Sequence, residues 1–459
     1  MAEEEAAAKA PRHGKDLTQG PIGKTLLAFA LPTLISSILQ SLNGSINSIW
    51  IGRFLGEKAL ASTFNANMIM FLLMAFVFGF GMASTILIGI VGYFASPAIL
   101  RILAFDPTAA PLALAYLRVI FLAMPGILVL VMMMMALRGA GDAMTPLWFM
   151  ILAVILDAGL NPVFILGLGP APKLGIAGSA LATTIANYVG LTALIVTIYV
   201  RDLPLRLRGA ELRYLIPDGQ LLKLIVRKGF PMGLQMIVIS SSALATIGLV
   251  NREGVDTTAA FGVAMQLWTY LQMPAMALSA AASAMAAQNI GANQWDRVSR
   301  IARTGIVQNL IITGVLVLLL AVADRPALAL FLGNHSPALP IAEHIQILAT
   351  WSFLLFGVTM ILFGVVRANG AVVGPLIILA IGLYPVRLGF ALGAHPSLGA
   401  DSLWWSFPIS SLANMVMAIG FYLHGGWRKQ RMMPPITPDE AIEEAEAGME
   451  QTARLNPSG

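Results

Sequence analysis

Runs of about 20 apolar residues recur along this chain from Lys24 to Trp427, separated by short polar or Gly/Pro-rich joints. Wound as a helix, each run can cross the roughly 30 Å of hydrocarbon in a bilayer. A β-barrel needs shorter segments of alternating polarity, and these runs do not alternate. Composition agrees: 58% of the 459 residues are hydrophobic and 11% charged, where soluble domains carry about a quarter charged. The fold class expected is an all-α integral membrane protein, with the lipid bilayer as its first partner.

The formal net charge is +5. Its basic residues are concentrated in the joints, which points to membrane topology and away from nucleic acid. With no cysteine, disulfides, thiol catalysis and thiolate metal sites are excluded together. His13, His335, His344, His395 and His424 lie in or near joints, so no metal or general-base cluster is visible. Neither enzymatic activity nor a cofactor is expected. Residues 1–23 lack the apolar core of a signal peptide and read as a cytoplasmic arm, and 428–459 read as a cytoplasmic tail. Glu343 and His344 fall at a span end and read as solvated.

Two halves are expected: 24–200 and 229–427, each a six-helix lobe, joined by a polar cytoplasmic linker at 201–228. Matching landmarks support the division. Pro32 pairs with Pro231, Pro97 with Pro326, Arg138-Gly139-Ala140-Gly141 with Arg367-Ala368-Asn369-Gly370, and Pro146 with Pro375. Paired halves of this kind are the pattern of a secondary transporter. The basic joints can all face one side, which places both termini in the cytoplasm of a cell (inner) membrane protein. The first lobe is shortened around its second and third helices, by roughly thirty residues, about one span with its loop. Either one span is missing there, or the remaining apolar run folds as a hairpin at Gly79-Phe80-Gly81.

Asp157 interrupts the apolar run from Pro146 to Leu168, with Asn161 one helical turn later and Pro162 immediately after. Positions four apart share a helix face. Proline crowds the carbonyl four residues back and offers it no donor, so the Ala158 oxygen is expected to join the two side chains. An acid at membrane depth is costly and is read first as functional. Burial disfavours the charged form of a carboxylate, so this acid is the candidate coupling-ion site, with Asn47, Asn161, Thr183 and Asn187 supplying hydrogen bonds. The plain alternative is a structural carboxylate satisfied by neighbouring hydroxyls and amides.

Gln40, Asn43 and Asn47 form one polar stripe on the first span, and Asn65 follows on the second. With Gln235, Gln266 and Trp268, the residues Gln40, Asn43 and Asn65 are the candidates for a substrate cavity. Trp268 and Tyr270, near Gln266 and Gln272, offer rings for a flat cation or anchors at the membrane interface. Met132 to Met135 offer a yielding surface or ordinary packing. Arg387, beside Pro385 inside an apolar run, either snorkels outward, pairs with an acid across the lobes, or is structural.

Four segments together resemble the multidrug and toxic compound extrusion (MATE) family. They are Asn43-Gly44-Ser45-Ile46-Asn47-Ser48-Ile49-Trp50-Ile51-Gly52-Arg53-Phe54-Leu55-Gly56, Phe78-Gly79-Phe80-Gly81-Met82-Ala83-Ser84-Thr85, Ala136-Leu137-Arg138-Gly139-Ala140-Gly141-Asp142 and Gly175-Ile176-Ala177-Gly178-Ser179-Ala180-Leu181-Ala182-Thr183. The resemblance implies export of small organic, often cationic, compounds in exchange for protons or sodium, by alternating access of two lobes. A monomer with no cofactor beyond the ion gradient is expected. Two departures are plain: where the family commonly has an aspartate on its first helix this chain has Asn47, and some members' Asn-then-Asp order on the fifth helix is exchanged at Asp157 and Asn161. A flippase or exporter of a lipid-linked or polar metabolite is the alternative, and would need several cavity arginines for phosphate, with Arg118 and Arg387 the only candidates. A shortened homologue impaired in transport is the other.

Overall fold

The computed structural model describes residues 16–55, 92–97, 110–169, 171–203, 205–207, 219–333 and 335–430. The hairpin expected at Gly79 to Gly81, Asn65, and most of the two terminal segments lie outside the described residues. Regular structure among the described residues is helical throughout. Eight helices are long and apolar enough to cross a membrane, and a bent pair broken at 48° makes a possible ninth span.

In the first half these are α1 (Ile22–Leu55), α2 (Ala110–Gly139), α3 (Met144–Leu166) and α4 (Ile176–Val200), with a helical turn at 92–97. The second half runs α5 (Gly219–Val250), α6 (Val255–Gly291), α7 (Trp295–Val322), α8 (Asp324–Leu332), α9 (Ala338–Ala349) and α10 (Ser352–Ala368). It ends with α11 (Val373–Gly393), which contains a π-helical segment at Gly382–Leu388, and α12 (Asp401–His424). Helix α6 has 37 residues, about 55 Å at 1.5 Å per residue. Its apolar content is lowered by a run of small residues that packs it closely against α1, α7, α9 and α10.

Hydroxyls settle the polar burden of these helices in place. Thr33, Ser36, Ser37, Ser45 and Ser48 on α1 each donate to the carbonyl four residues back. Such back-bonding hides the side-chain donor from lipid.

The repeat landmarks fall at like places. Pro32 lies inside α1 and Pro231 inside α5. Arg138 and Arg367 each occupy the last turn of a helix, α2 and α10. Gly141 and Gly370, just beyond, adopt φ of 92° and 77°, a backbone that glycine alone enters without strain. The linker boundary differs from expectation: α5 begins at Gly219, so Lys223, Arg227 and Lys228 are helical and not part of the joint. Long basic side chains are good helix formers, and Lys228 gives its Nζ to Gly370 O at 2.8 Å, tying the start of α5 to the α10–α11 turn.

The two halves meet along α1. Leu26, Phe29 and Ala30 share a buried cluster with Leu278, Ala281, Ala282 and Met285 of α6 and Ile301 of α7. Just before α1, the chain is pinned by its backbone. Gln288 Oε1 accepts from Leu17 N, Asn289 Nδ2 donates to Leu17 O, and Arg297 donates to Gln19 O and Gly20 O at 2.8 Å. Gln308 Nε2 reaches Gly23 O at 2.9 Å. The remaining large clusters stay within one half, Ile51 with α2, α3 and α4, and Phe261 with α9, α10, α11 and α12.

Asp324 opens α8, outside the spans. It is partly buried, its Oδ1 has no hydrogen-bond partner, and burial followed by the negative charge of Glu343 pushes its pKa up from 3.8 to about 6. The folded state therefore binds more protons than the unfolded between those values, and stability falls as pH rises from about 4 to about 6. Asp324→Asn is expected to leave the melting midpoint unchanged in acid and raise it above pH 6, as read from thermal melts of the purified chain at pH 4 and pH 7. Glu343 itself faces Arg325 at 3.8 Å, and His344 meets Asp401 at 2.8 Å.

Candidate functional site

Three helices deliver their polar groups to one carboxylate. Asp157 of α3 is fully buried, and its Oδ2 accepts from Asn43 Nδ2 at 2.8 Å and Asn47 Nδ2 at 2.9 Å, both from α1. Its Oδ1 accepts from Thr183 Oγ1 of α4 and from Asn161 Nδ2, each at 3.0 Å. Asn161 Nδ2 also lies 2.9 Å from Asn47 Oδ1, closing the ring. Asn187 stands one step outside: its Nδ2 donates to Thr183 O at 2.7 Å and so braces the helix that carries Thr183.

Four donors on one carboxylate fill its acceptor positions and suit its ionised form. Two further oxygens of the same side chains, Asn43 Oδ1 and Asn161 Oδ1, are buried without a hydrogen-bond partner. Orphaned acceptors beside an acid give the cluster a second use. They can accept from the acid when it carries a proton, after rotation of an amide, or can serve as oxygen ligands to a small hard cation.

Pro162 stays inside α3, which continues to Leu166 and ends at Gly167 with φ 73°. The backbone oxygen drawn into the cluster is Asp157 O, 2.9 Å from Asn161 Nδ2, in place of the Ala158 oxygen expected from the proline. The Asn161 amide folds back along its own helix to the carbonyl one turn before it, which is the shorter reach.

The second half holds a cavity of about 390 Å³ between α5, α6, α10, α11 and α12. Aromatic faces dominate it: Trp268 packs at 5.0 Å from Phe407, 5.5 Å from Phe353 and 5.9 Å from Phe261, centroid to centroid. Gln346 Oε1 and Thr350 Oγ1, each 2.9 Å from the indole Nε1, fix the Trp268 ring. Among the described residues, Arg387 is the one charged residue in the lining.

Helical phase sorts the expected cavity residues. Met265, Trp268, Thr269, Gln272 and Met276 of α6 line the cavity, whereas Gln266 and Tyr270 lie on another face of that helix and are exposed. Gln235 is buried one position from the lining residue Met236 and spends its Nε2 on Val372 O at 3.0 Å, a structural tie between α5 and the start of α11. Gln40 is exposed and outside the Asp157 cluster, and Asn43 belongs to that cluster instead of to the cavity. The Met132 to Met135 run lies on α2 of the other half, with Met134 buried and Met135 exposed. Arg118 stacks 5.3 Å over Tyr93.

Sequence reasoning missed Phe261, Phe407 and Asn414 as lining residues, and the Gln346 and Thr350 support of Trp268. The phenylalanines do not stand out in an apolar run, whereas Asn414 and Gln346 are amides in such runs and, with the pairing of Arg387 and Pro385, were the signals that could have led to this wall.

The MatE family model matches residues 32–90, 86–163 and 231–392. The chain is 33% identical over 443 residues to the probable multidrug resistance protein YoeA of Bacillus subtilis, covering 90% of this chain and 95% of that one. It is 25% identical to the FAD transporter of Shewanella oneidensis, covering 93% of this chain and 98% of that one. Among solved structures, an outward-facing multidrug resistance MATE transporter superposes with a TM-score of 0.78 at 20% identity, covering 90% of this chain and 97% of that chain, a likeness of fold.

Proposed function

The chain belongs to the MatE family of membrane multidrug efflux transporters, and we propose that it exports small organic compounds in exchange for protons or sodium through the Asp157 cluster. The observation that carries the proposal is the convergence of Asn43, Asn47, Asn161 and Thr183 on that carboxylate, with two buried amide oxygens left over. A structural carboxylate needs only its donors. The leftover acceptors have a purpose when a proton or a cation arrives, because each then gains a partner that burial otherwise denies it. One acid favours a proton, since sodium needs several oxygens, and the amide oxygens are the groups that would supply them.

Transport in this reading proceeds by alternating access of the two halves, in a cell membrane with both termini inside. In this reading the α1–α6–α7 cluster and the backbone clamp on Leu17 to Gly23 serve as the gate at one end. Loading the Asp157 cluster changes the hydrogen bonds of α1, the helix that makes this contact, and so biases the closure. With no native cysteine, a pair at Gly23→Cys and Gln308→Cys can be joined by a short bis-methanethiosulfonate crosslinker, attached through disulfides that a reductant opens, because a Cβ at Gly23 would lie 3.1 Å from Gln308 Nε2. Crosslinking is expected to stop export and reductive release of the linker to restore it; full export by the crosslinked protein would rule this gate out.

For cargo, the cavity offers aromatic faces and, among the described residues, no carboxylate. The cationic compounds that the resemblance implied would rest there on ring faces alone. Relatives named for multidrug resistance and for FAD transport bracket the range. A flippase for lipid-linked phosphates is disfavoured, since among the described residues a single arginine lines this cavity where several would be needed. The test of the coupled reading is uptake into proteoliposomes under an imposed pH or sodium gradient.

A further inference from the structure

Arg387 sits in the π-helical segment of α11, two residues after Pro385, within an apolar span. π-Bulges cluster at functional sites because the extra residue per turn re-aims a side chain at some cost to the ladder. Here the segment turns the guanidinium inward. Its Cζ lies 4.3 Å from the Phe407 ring centroid and its Nε donates to Ser410 Oγ at 3.0 Å. Snorkelling to the membrane surface is thereby excluded, and among the described residues no carboxylate pairs with it, so an acid across the halves is excluded there too.

One ring face and one hydroxyl fix the plane of the guanidinium and use one of its five N–H donors. Nη1 and Nη2 hold no acceptor among the described residues, and the residue lines the cavity. A cation at membrane depth without an anion is costly, and the fork of a guanidinium matches a carboxylate or phosphate two bonds at a time. Across the same wall, Asn414 Oδ1 is buried without a partner and sits against Gly382, where a Cβ would come within 1.9 Å of it. The cavity therefore pairs an aromatic wall with a fixed cationic fork.

We propose that the second-half cavity binds an aromatic organic acid, its ring against Trp268 and Phe407 and its acidic group on Arg387. This rests on the export reading above and narrows its cargo class: the charged part of the cargo is an anion. A phospholipid headgroup shares the chemistry, but a wall of five aromatic rings, Phe261, Trp268, Phe353, Phe356 and Phe407, suits a flat ring system better than two flexible chains.

Two isosteric probes decide it: naphthalene-2-carboxylate and 2-naphthylmethylammonium, titrated calorimetrically into the full chain in phosphatidylcholine nanodiscs with no gradient imposed. The carboxylate is expected to bind at least about tenfold more tightly than the ammonium. Arg387→Gln is expected to remove that preference, and Arg387→Lys to keep part of it, because the charge survives and the fork does not. Equal or tighter binding of the ammonium overturns the proposal, as does unchanged carboxylate affinity in a folded Arg387→Gln protein. Should that variant fail to fold, the preference of the intact chain decides alone. Arg387-dependent retention of an anionic phospholipid in native mass spectrometry, without carboxylate binding, overturns it as well. Binding at equilibrium needs no coupling, so a failed antiport assay leaves this result readable and the reverse holds too.

Discussion

Asp157→Asn is expected to abolish gradient-driven export while leaving the protein folded. The new amide has the shape of the carboxylate but turns one acceptor into a donor, so two of the four donors from Asn43, Asn47, Asn161 and Thr183 lose their oxygen. Stranded donors would ordinarily cost about 1–3 kcal/mol each. Here the orphaned Asn43 Oδ1 and Asn161 Oδ1 are in place to receive N–H groups once an amide rotates, which offsets that cost. What the amide cannot do is change charge. No proton is exchanged near neutral pH, and the attraction for a cation is reduced to that of a dipole. Uptake into proteoliposomes under a pH or sodium gradient should therefore fall by at least about tenfold, a loss of ~1.4 kcal/mol or more in the coupled step. A wild-type rate in the same assay would sink the coupling role and return Asp157 to a structural acid. Running both gradients in parallel separates a proton from sodium.

How much of this was legible beforehand differs between the site and the cavity. The Asp157 cluster could be read because its members are polar residues in apolar runs, and four-residue spacing on a helix fixes a shared face: Asp157 with Asn161, Asn43 with Asn47, Thr183 with Asn187. The packing of α1, α3 and α4 then needed only to bring those faces together. Asn187 shows the limit of the method, since its amide turns to the Thr183 carbonyl and not to the acid. Spacing gives the face and leaves the rotamer open.

The cavity was illegible for the opposite reason. Most of its walls are Phe, Trp, Met, Leu and single hydroxyls, common in any membrane helix, so little marks which of them face a void. Gln235 and Gln266 are conspicuous amides of the second half's sequence. One proved a backbone tie and the other an exposed group, while Gln272 on the correct face carried no stronger signal. Arg387 was conspicuous, and of its three fates a structural role was favoured, whereas the π-helical turn aims it into the cavity. The halves themselves announced their repeat through proline and Arg-Gly landmarks, because those residues end or bend helices wherever they stand.

Gly178→Ala is expected to damage the site without touching any of its polar groups. Gly178 lies in the first turn of α4, and a Cβ there would meet Phe164 O at 2.4 Å and Phe164 C at 2.6 Å. That obstacle is backbone, and it is held in place: Phe164 O accepts from Leu174 N at 3.0 Å, closing the joint between α3 and α4. Relief therefore requires the helices to separate. Alanine gains up to ~1 kcal/mol over glycine in helix propensity, while overpacking against a rigid neighbour costs about 1–3 kcal/mol, so the net effect is destabilising. Gly262→Ala, in α6 with nothing within 4 Å, is the matched control and should be neutral or stabilising. The functional effect exceeds the loss of stability because Thr183 follows on α4 and its 3.0 Å bond to Asp157 is the one contact α4 gives that carboxylate. A few tenths of an ångström of separation weaken it, and the carboxylate drops from four donors to three. Export should fall several-fold while the melting midpoint drops by a few degrees. In a double-substitution cycle with Thr183→Ala, the second change should add little to the loss of export, because both remove the same contact. Fully additive losses would mean that Gly178 supports folding alone and that α4 is not what sets the geometry of the acid.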